Sequence, residues 1–231
     1  MIKQDPILIT GCPRSGASII GSAINLSGAF AGEMSKRGMF TNDRIREEIV
    51  YPYFDDIQMD KLGQYPLPDS DNLSIPPKWR EQVQQIMIFE GYQDGRWMYK
   101  DSRLSLTWPI WNYAFPNAKW IIVRRRTGDI LQSCLKTGFM TAFGLPDIQK
   151  VVGVDTEQEG WLWWVHQYEA RFVRMIETGL NCKVIWPERM VHGDYQQMYE
   201  TLEWVGLPWN KEVINKIDPL LWSSRKKERS T

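Results

Sequence analysis

Cysteine is scarce: Cys12, Cys134 and Cys182 are the only three in 231 residues, widely separated and without C-x-x-C spacing. Neither a disulfide framework nor a zinc site is suggested, and they read as buried or incidental thiols. No stretch approaches about 18 consecutive apolar residues, so a membrane-spanning helix is not expected. Neither sign of charge is in excess, since 28 Lys and Arg face 28 Asp and Glu. That balance leaves no overall field for nucleic acid or an anionic membrane, and any phosphate recognition must be local. The opening Met1-Ile2-Lys3-Gln4-Asp5-Pro6 reaches proline before any apolar h-region, so no signal peptide and a cytoplasmic protein are expected. Internal repeats and low-complexity tracts are missing too.

What is present reads as one folded domain over residues 1–231, with 43% hydrophobic and 24% charged residues. The anomaly is 12 tryptophans, several-fold above ordinary usage. Short apolar runs at Ile7-Leu8-Ile9-Thr10, Trp97-Met98-Tyr99, Trp120-Ile121-Ile122-Val123 and Lys183-Val184-Ile185-Trp186 predict strands. Helical periodicity lies between them, at 15–26, 79–90, 129–137, 159–178 and 195–205. The last of these opens with Asp194 and Gln197 at capping-box spacing. Strands alternating with helices predict an α/β fold, a parallel sheet flanked by helices. Two stretches, 51–75 and 138–158, resist assignment and are expected to be functional lid loops. The basic run Arg225-Lys226-Lys227-Glu228-Arg229 reads as a solvated terminus.

Gly11-Cys12-Pro13-Arg14-Ser15-Gly16-Ala17-Ser18 stands between a predicted strand and a predicted helix, the context of a phosphate-binding loop. Glycine permits the turn, the helix N-terminus faces an anion, and the Ser18 hydroxyl adds a donor. A nucleoside triphosphatase would carry Lys after the second glycine. Here Ala17 stands there, which disfavours an ATPase or GTPase and leaves Arg14 as the loop's only cation. A second basic cluster, Arg124-Arg125-Arg126, follows the strand at 120–123, and Ser133 lies in the first turns of the next helix. That spot suits a dianionic phosphate.

Pro13-Arg14-Ser15-Gly16-Ala17-Ser18 resembles the P-R-S-G-T-S loop of bacterial P-loop sulfotransferases that use 3'-phosphoadenosine 5'-phosphosulfate. Arg125, Asp129 and Ser133 keep the spacing of the family's second motif, R-x-P-x-D-x-x-x-S, with Thr127 in place of the proline. A third segment, 191–208, is similar to the family's Y-E-D-L region and its F-L-G-L-P ending. The resemblance implies a P-loop-containing fold and a sulfuryl donor held by residues 13–18. It assigns the donor's 3'-phosphate to Arg125 and Ser133, and places His192 beside the adenine. It further implies a hydroxyl acceptor, a small molecule or carbohydrate, with no metal requirement and no nucleic-acid or membrane partner.

Many family members carry a catalytic histidine in a K-x-H arrangement after a strand. In this chain Tyr99-Lys100-Asp101-Ser102-Arg103-Leu104 has serine there, which resembles the K-D-P-R-L version of bacterial members. Lys100, Asp101 and Glu33 are therefore candidate catalytic residues beside Arg14. Glu33 is preferred as the base, because Lys100 would lower the basicity of Asp101. His166 reads as structural. Trp161, Trp164, Val165, Tyr168, Phe172 and Met175 share one helical face and are expected in the core. Trp163, on the other face, together with Trp108 and Trp111, is either core or a wall of an acceptor groove. Alternatives to transfer are a non-catalytic nucleotide-binding protein and a small-molecule kinase.

Overall fold

The computed structural model describes residues 2–35 and 39–217. The basic run at 225–229 lies outside the described residues. Four strands, β1 (Ile7–Gly11), β2 (Met98–Lys100), β3 (Lys119–Val123) and β4 (Cys182–Ile185), form a parallel sheet in the order β2-β1-β3-β4. α1 (Ala17–Leu26) follows β1. α2 (Asp43–Ile45) runs through a π turn (Arg46–Val50) into α3 (Tyr51–Asp56), and α4 (Trp79–Phe89) precedes β2. α5 (Trp108–Ala114) leads to β3, and α6 (Thr127–Leu135), α7 (Pro146–Val152) and α8 (Glu157–Glu177) lie between β3 and β4. α9 (Pro187–Val191), α10 (Gln196–Val205) and α11 (Glu212–Asn215) complete the described chain.

Side chains alternate across the sheet with period two, so each strand feeds two cores. Ile7, Ile9, Ile121 and Val123 pack with α1, α9, α10 and α11 on one face. Leu8, Tyr99, Trp120 and Ile122 pack on the other with α4, α5, α6 and α8. The tryptophan excess belongs to this second face: Trp79, Trp97, Trp111, Trp120, Trp161 and Trp164 are all at most 2% exposed. Their rings meet edge-on or stacked, as in Trp79 on Trp111 and Tyr99 on Trp111. Such aromatic pairs each add about 0.5–1.5 kcal/mol beyond area burial.

The two unassigned stretches are not structureless. Residues 51–75 contain α3 and residues 138–158 contain α7. They bind each other through buried Gln64, whose amide donates to the Phe139 carbonyl at 2.8 Å and accepts from Thr141 and Ala142 N–H at 3.0 and 3.1 Å. Trp164 Nε1 and the Tyr168 hydroxyl both donate to the Gly63 carbonyl, fixing the first stretch to α8. The expected capping box at α10 does not form either. Asp194 accepts from the Gln196 N–H, while Gln197 turns back to accept from the Trp186 N–H. The capping box is at α8, where Thr156 and Glu159 bond reciprocally.

Candidate active site

β1 is flanked by β2 on one side and β3 on the other, so the chain leaves the sheet in opposite directions on its two sides. Ligands of open α/β sheets bind in the crevice at such a switch point, beyond the carboxyl ends of the strands. Both basic loops reach that edge: residues 12–16 follow β1, and 124–126 follow β3.

The first loop is shaped by backbone more than by side chains. Arg14 and Gly16 adopt φ of 74° and 89°, the left-handed pattern that gathers successive N–H groups into a nest for an anion. A Cβ at Gly11 would lie 2.5 Å from Ser15 Oγ and 2.6 Å from the Val123 carbonyl, so only glycine lets the loop fold back over β3. α1 then begins with no side chain capping its first N–H groups and no carboxylate in its first turn to answer its positive end. Ser15 Oγ is buried beneath the loop without a hydrogen-bond partner. This cradle fits a phosphate or sulfate group.

The second loop closes on the first. Arg14 Nε donates to Ser133 Oγ on α6 at 2.9 Å, and Arg125 Nη1 donates to the Arg14 carbonyl at 3.0 Å. Burial pushes the Arg125 guanidinium below its ordinary value, with Asp129 acting in the opposite sense. Its two neighbours face carboxylates: Arg124 pairs with Glu169 at 2.5 Å and Arg126 with Glu188 at 3.3 Å. The structure thus brings Pro13, Arg14, Ser15, Gly16, Ala17 and Ser18 to one edge with Arg125 and Ser133.

Lys100 joins them from β2. Its Nζ donates to Ser18 Oγ at 3.2 Å and to the Met39 carbonyl at 2.6 Å. A Cβ at Gly21 would stand 3.4 Å from the lysine stem, which shows how closely that stem lies along α1. Burial lowers the ammonium to about 8, and Arg103 and Arg46 act the same way against the opposing charge of Asp101. A cation from the neighbouring strand thus stands beside Ser18, next to Ala17, a placement that motif spacing could not reveal.

Asp101 is engaged elsewhere. Its carboxylate accepts from Arg103 Nη1 at 2.6 and 2.8 Å, from the Arg103 N–H at 2.9 Å and from the Tyr99 hydroxyl at 3.2 Å. Burial alone would raise it, but the charge and hydrogen bonds of Arg103 outweigh burial and leave it below the ordinary carboxylate range. A carboxylate so fully bonded is a weak proton acceptor, so Asp101 orders the loop after β2. Arg103 also reaches the Lys61 carbonyl and the Tyr51 hydroxyl, tying residues 51–61 to that loop.

Glu33 is exposed on a hairpin whose two sides meet at Met34 and Asn42. The hairpin touches Ser18 and Lys100 through the Met39 carbonyl, but the contacts of Glu33 itself are main-chain ones, to Glu90 and Asp43. His166 and His192 are exposed, and His192 Nδ1 lies 2.7 Å from the Glu188 carbonyl. Trp108 and Trp111 are core residues, and Trp163 packs edge-on against Tyr65 and Phe143. Among the described residues no cluster of three His, Cys, Asp or Glu side chains is placed to hold a metal, and no helix is long and apolar enough to cross a membrane.

The architecture is that of an α/β protein with a phosphate-loop turn at the switch point of a parallel sheet. Among solved structures, this fold is shared with sulfotransferases. The sulfotransferase STF9 from Mycobacterium avium aligns over 94% of this chain and 68% of its own, at 13% identity and a TM-score of 0.57. The sulfotransferase domain from the curacin biosynthetic pathway aligns over 92% of this chain and 77% of its own, at 15% identity and a TM-score of 0.58. No protein-family model matches the chain, and no curated protein matches it.

Proposed function

We propose that the protein is a sulfotransferase that moves a sulfuryl group from 3'-phosphoadenosine 5'-phosphosulfate to a hydroxyl of a small molecule or carbohydrate. The observation that carries this reading is the meeting of the two anion loops through Arg14, Ser133 and Arg125. A donor with phosphate at both its 3' and 5' ends needs two such sites side by side.

The donor supplies an activated sulfuryl group whose leaving group is a nucleotide phosphate. Sulfuryl transfer resembles phosphoryl transfer, in which positioning and charge stabilisation do most of the work. Residues 13–18 would hold the 5' end through loop N–H groups and Ser18, and Arg125 and Ser133 would hold the 3'-phosphate. Arg14 and Lys100 would answer the charge that builds on the leaving oxygen, a task for which no metal is required. Glu33 would take the proton of the acceptor hydroxyl. The packed layer formed by residues 51–75 and 138–158 would face the acceptor.

The test is transfer of labelled sulfate from the donor to a panel of hydroxyl compounds, with γ-labelled Mg-ATP in parallel. Sulfated product without phosphorylated product supports the reading. Phosphorylated product alone would replace it with a kinase.

A further inference from the structure

Glu90 follows α4 and buries its side chain, which is 1% exposed. A buried carboxylate is costly unless its oxygens are answered. Oε2 is answered twice, by the Glu33 N–H at 2.9 Å and by Asn42 Nδ2 at 2.5 Å. Oε1 lies 3.5 Å from Arg44 Nε, a separation that supplies charge rather than a hydrogen bond. Arg44 in turn lies over the Phe89 ring, 4.5 Å from its centre.

These contacts clamp both sides of one hairpin. Asn42 Nδ2 also donates to the Ala31 carbonyl, and Asn42 Oδ1 accepts from the Ile45 N–H at the start of α2. The Asp43 N–H donates to the Glu33 carbonyl, and the Ser35 N–H donates to the Thr41 carbonyl. Gly32 has φ of 67°, and a Cβ there would overlap Glu90 Oε2, so the close approach of the carboxylate requires glycine on both counts. The hairpin starts where Phe30 pairs in parallel with Trp97, three residues before Lys100. It ends where the Met39 carbonyl accepts from Lys100 Nζ and Ser18 Oγ. Its base is therefore fixed by Glu90 and its far end touches the donor edge.

We propose that Glu90 is a positioning residue for Glu33, holding the Glu33 backbone so that its carboxylate meets the acceptor hydroxyl at the donor edge. This rests on the proposed transfer reaction, in which Glu33 takes the acceptor's proton. A glutamine oxygen could accept both bonds, but only the carboxylate also draws the charge of Arg44 alongside. Loss of the clamp frees the main chain at Glu33 without removing a contact of residues 13–17, Arg125 or Ser133.

The experiment is a double-mutant cycle on the full chain with Glu33→Gln and Glu90→Ala, with Glu90→Gln as a milder variant should the alanine protein fail to fold. Glu90→Ala should lower kcat at least about tenfold while the dissociation constant for 3'-phosphoadenosine 5'-phosphate stays within about twofold, and in the Glu33→Gln background it should cost nothing further. Glu90→Gln, which keeps one accepting oxygen, should recover part of the rate. Additive losses in the two backgrounds, or an unchanged kcat in Glu90→Ala, overturn the proposal. Undiminished transfer by Glu33→Gln rejects Glu33 as the base and the positioning role with it. Amide exchange gives a readout that does not need turnover: the Glu33 and Ile45 amides should exchange at least about tenfold faster in Glu90→Ala, and faster than wild type but less so in Glu90→Gln. Unchanged exchange overturns the clamp even if wild-type transfer is robust, whereas faster exchange in a protein that transfers no sulfate supports the clamp and rejects the proposed reaction instead.

Discussion

Arg14 Nε donates a 2.9 Å hydrogen bond to Ser133 Oγ, joining residues 119 apart in sequence. The turn after β1 and the second turn of α6 are thereby one structure. The two anion sites proposed there are neighbours by construction.

Arg125 and Arg14 should separate binding from chemistry. Arg125→Ala should weaken binding of 3'-phosphoadenosine 5'-phosphate by about 1.5–3 kcal/mol for each charged hydrogen bond lost, roughly tenfold or more. Arg14→Ala should chiefly lower kcat, because its contacts strengthen as charge builds on the leaving phosphate. Calorimetric titration and steady-state kinetics check the pair. Intact turnover of Arg14→Ala at saturating donor contradicts the assignment.

Lys100 gives opposite signs for stability and activity. Its ammonium is lowered in the fold to about 8, below the unfolded value, so the unfolded chain binds more protons between about 8 and 10.5. The destabilising contribution is fully present below pH 8 and is relieved as pH rises through that window. Transfer should instead fall above about pH 8, as the charge facing the donor is lost. Lys100→Met should abolish most transfer yet leave thermal stability equal or higher, which melting curves at pH 7 and pH 9 would reveal.

Asp101 and Glu33 should likewise part. Asp101→Asn leaves Arg103 buried without its counter-charge, and breaking such a pair costs about 3–5 kcal/mol. Because Asp101 is lowered in the fold, its contribution is present above the unfolded carboxylate value and is lost as pH falls through the folded one. Glu33 is exposed, so Glu33→Gln should barely alter stability but should slow transfer by about a hundredfold to ten-thousandfold if it is the base. Chemical denaturation and an acceptor assay distinguish the two. A stable, inactive Asp101→Asn beside an active Glu33→Gln would exchange their roles.

The four strands and the helices beginning near residues 17, 79, 127, 157 and 196 were legible because their periodicity is uninterrupted and bounded by glycine or proline. α3 and α5 were not: each is short and opens on a proline, Pro52 and Pro109, in its first turn, where proline is tolerated but leaves too few residues for a visible period. The two basic loops were legible as motifs because their residues are contiguous or regularly spaced. Lys100 against Ser18 and Glu90 against Glu33 depend on strand register and on which side of the sheet a helix returns. Spacing along the chain carries neither.

The donor assignment is tested most directly by nucleotide-induced stabilisation of the wild-type protein. At about a hundred times its dissociation constant, 3'-phosphoadenosine 5'-phosphate should add about 2.7 kcal/mol, or roughly 5–11 °C in Tm for a chain of this size, and 5'-AMP at the same concentration should add much less. Equal shifts with the two nucleotides, or a larger shift with Mg-ATP, would contradict a site built around Arg14, Ser133 and Arg125 for a donor phosphorylated at both ends.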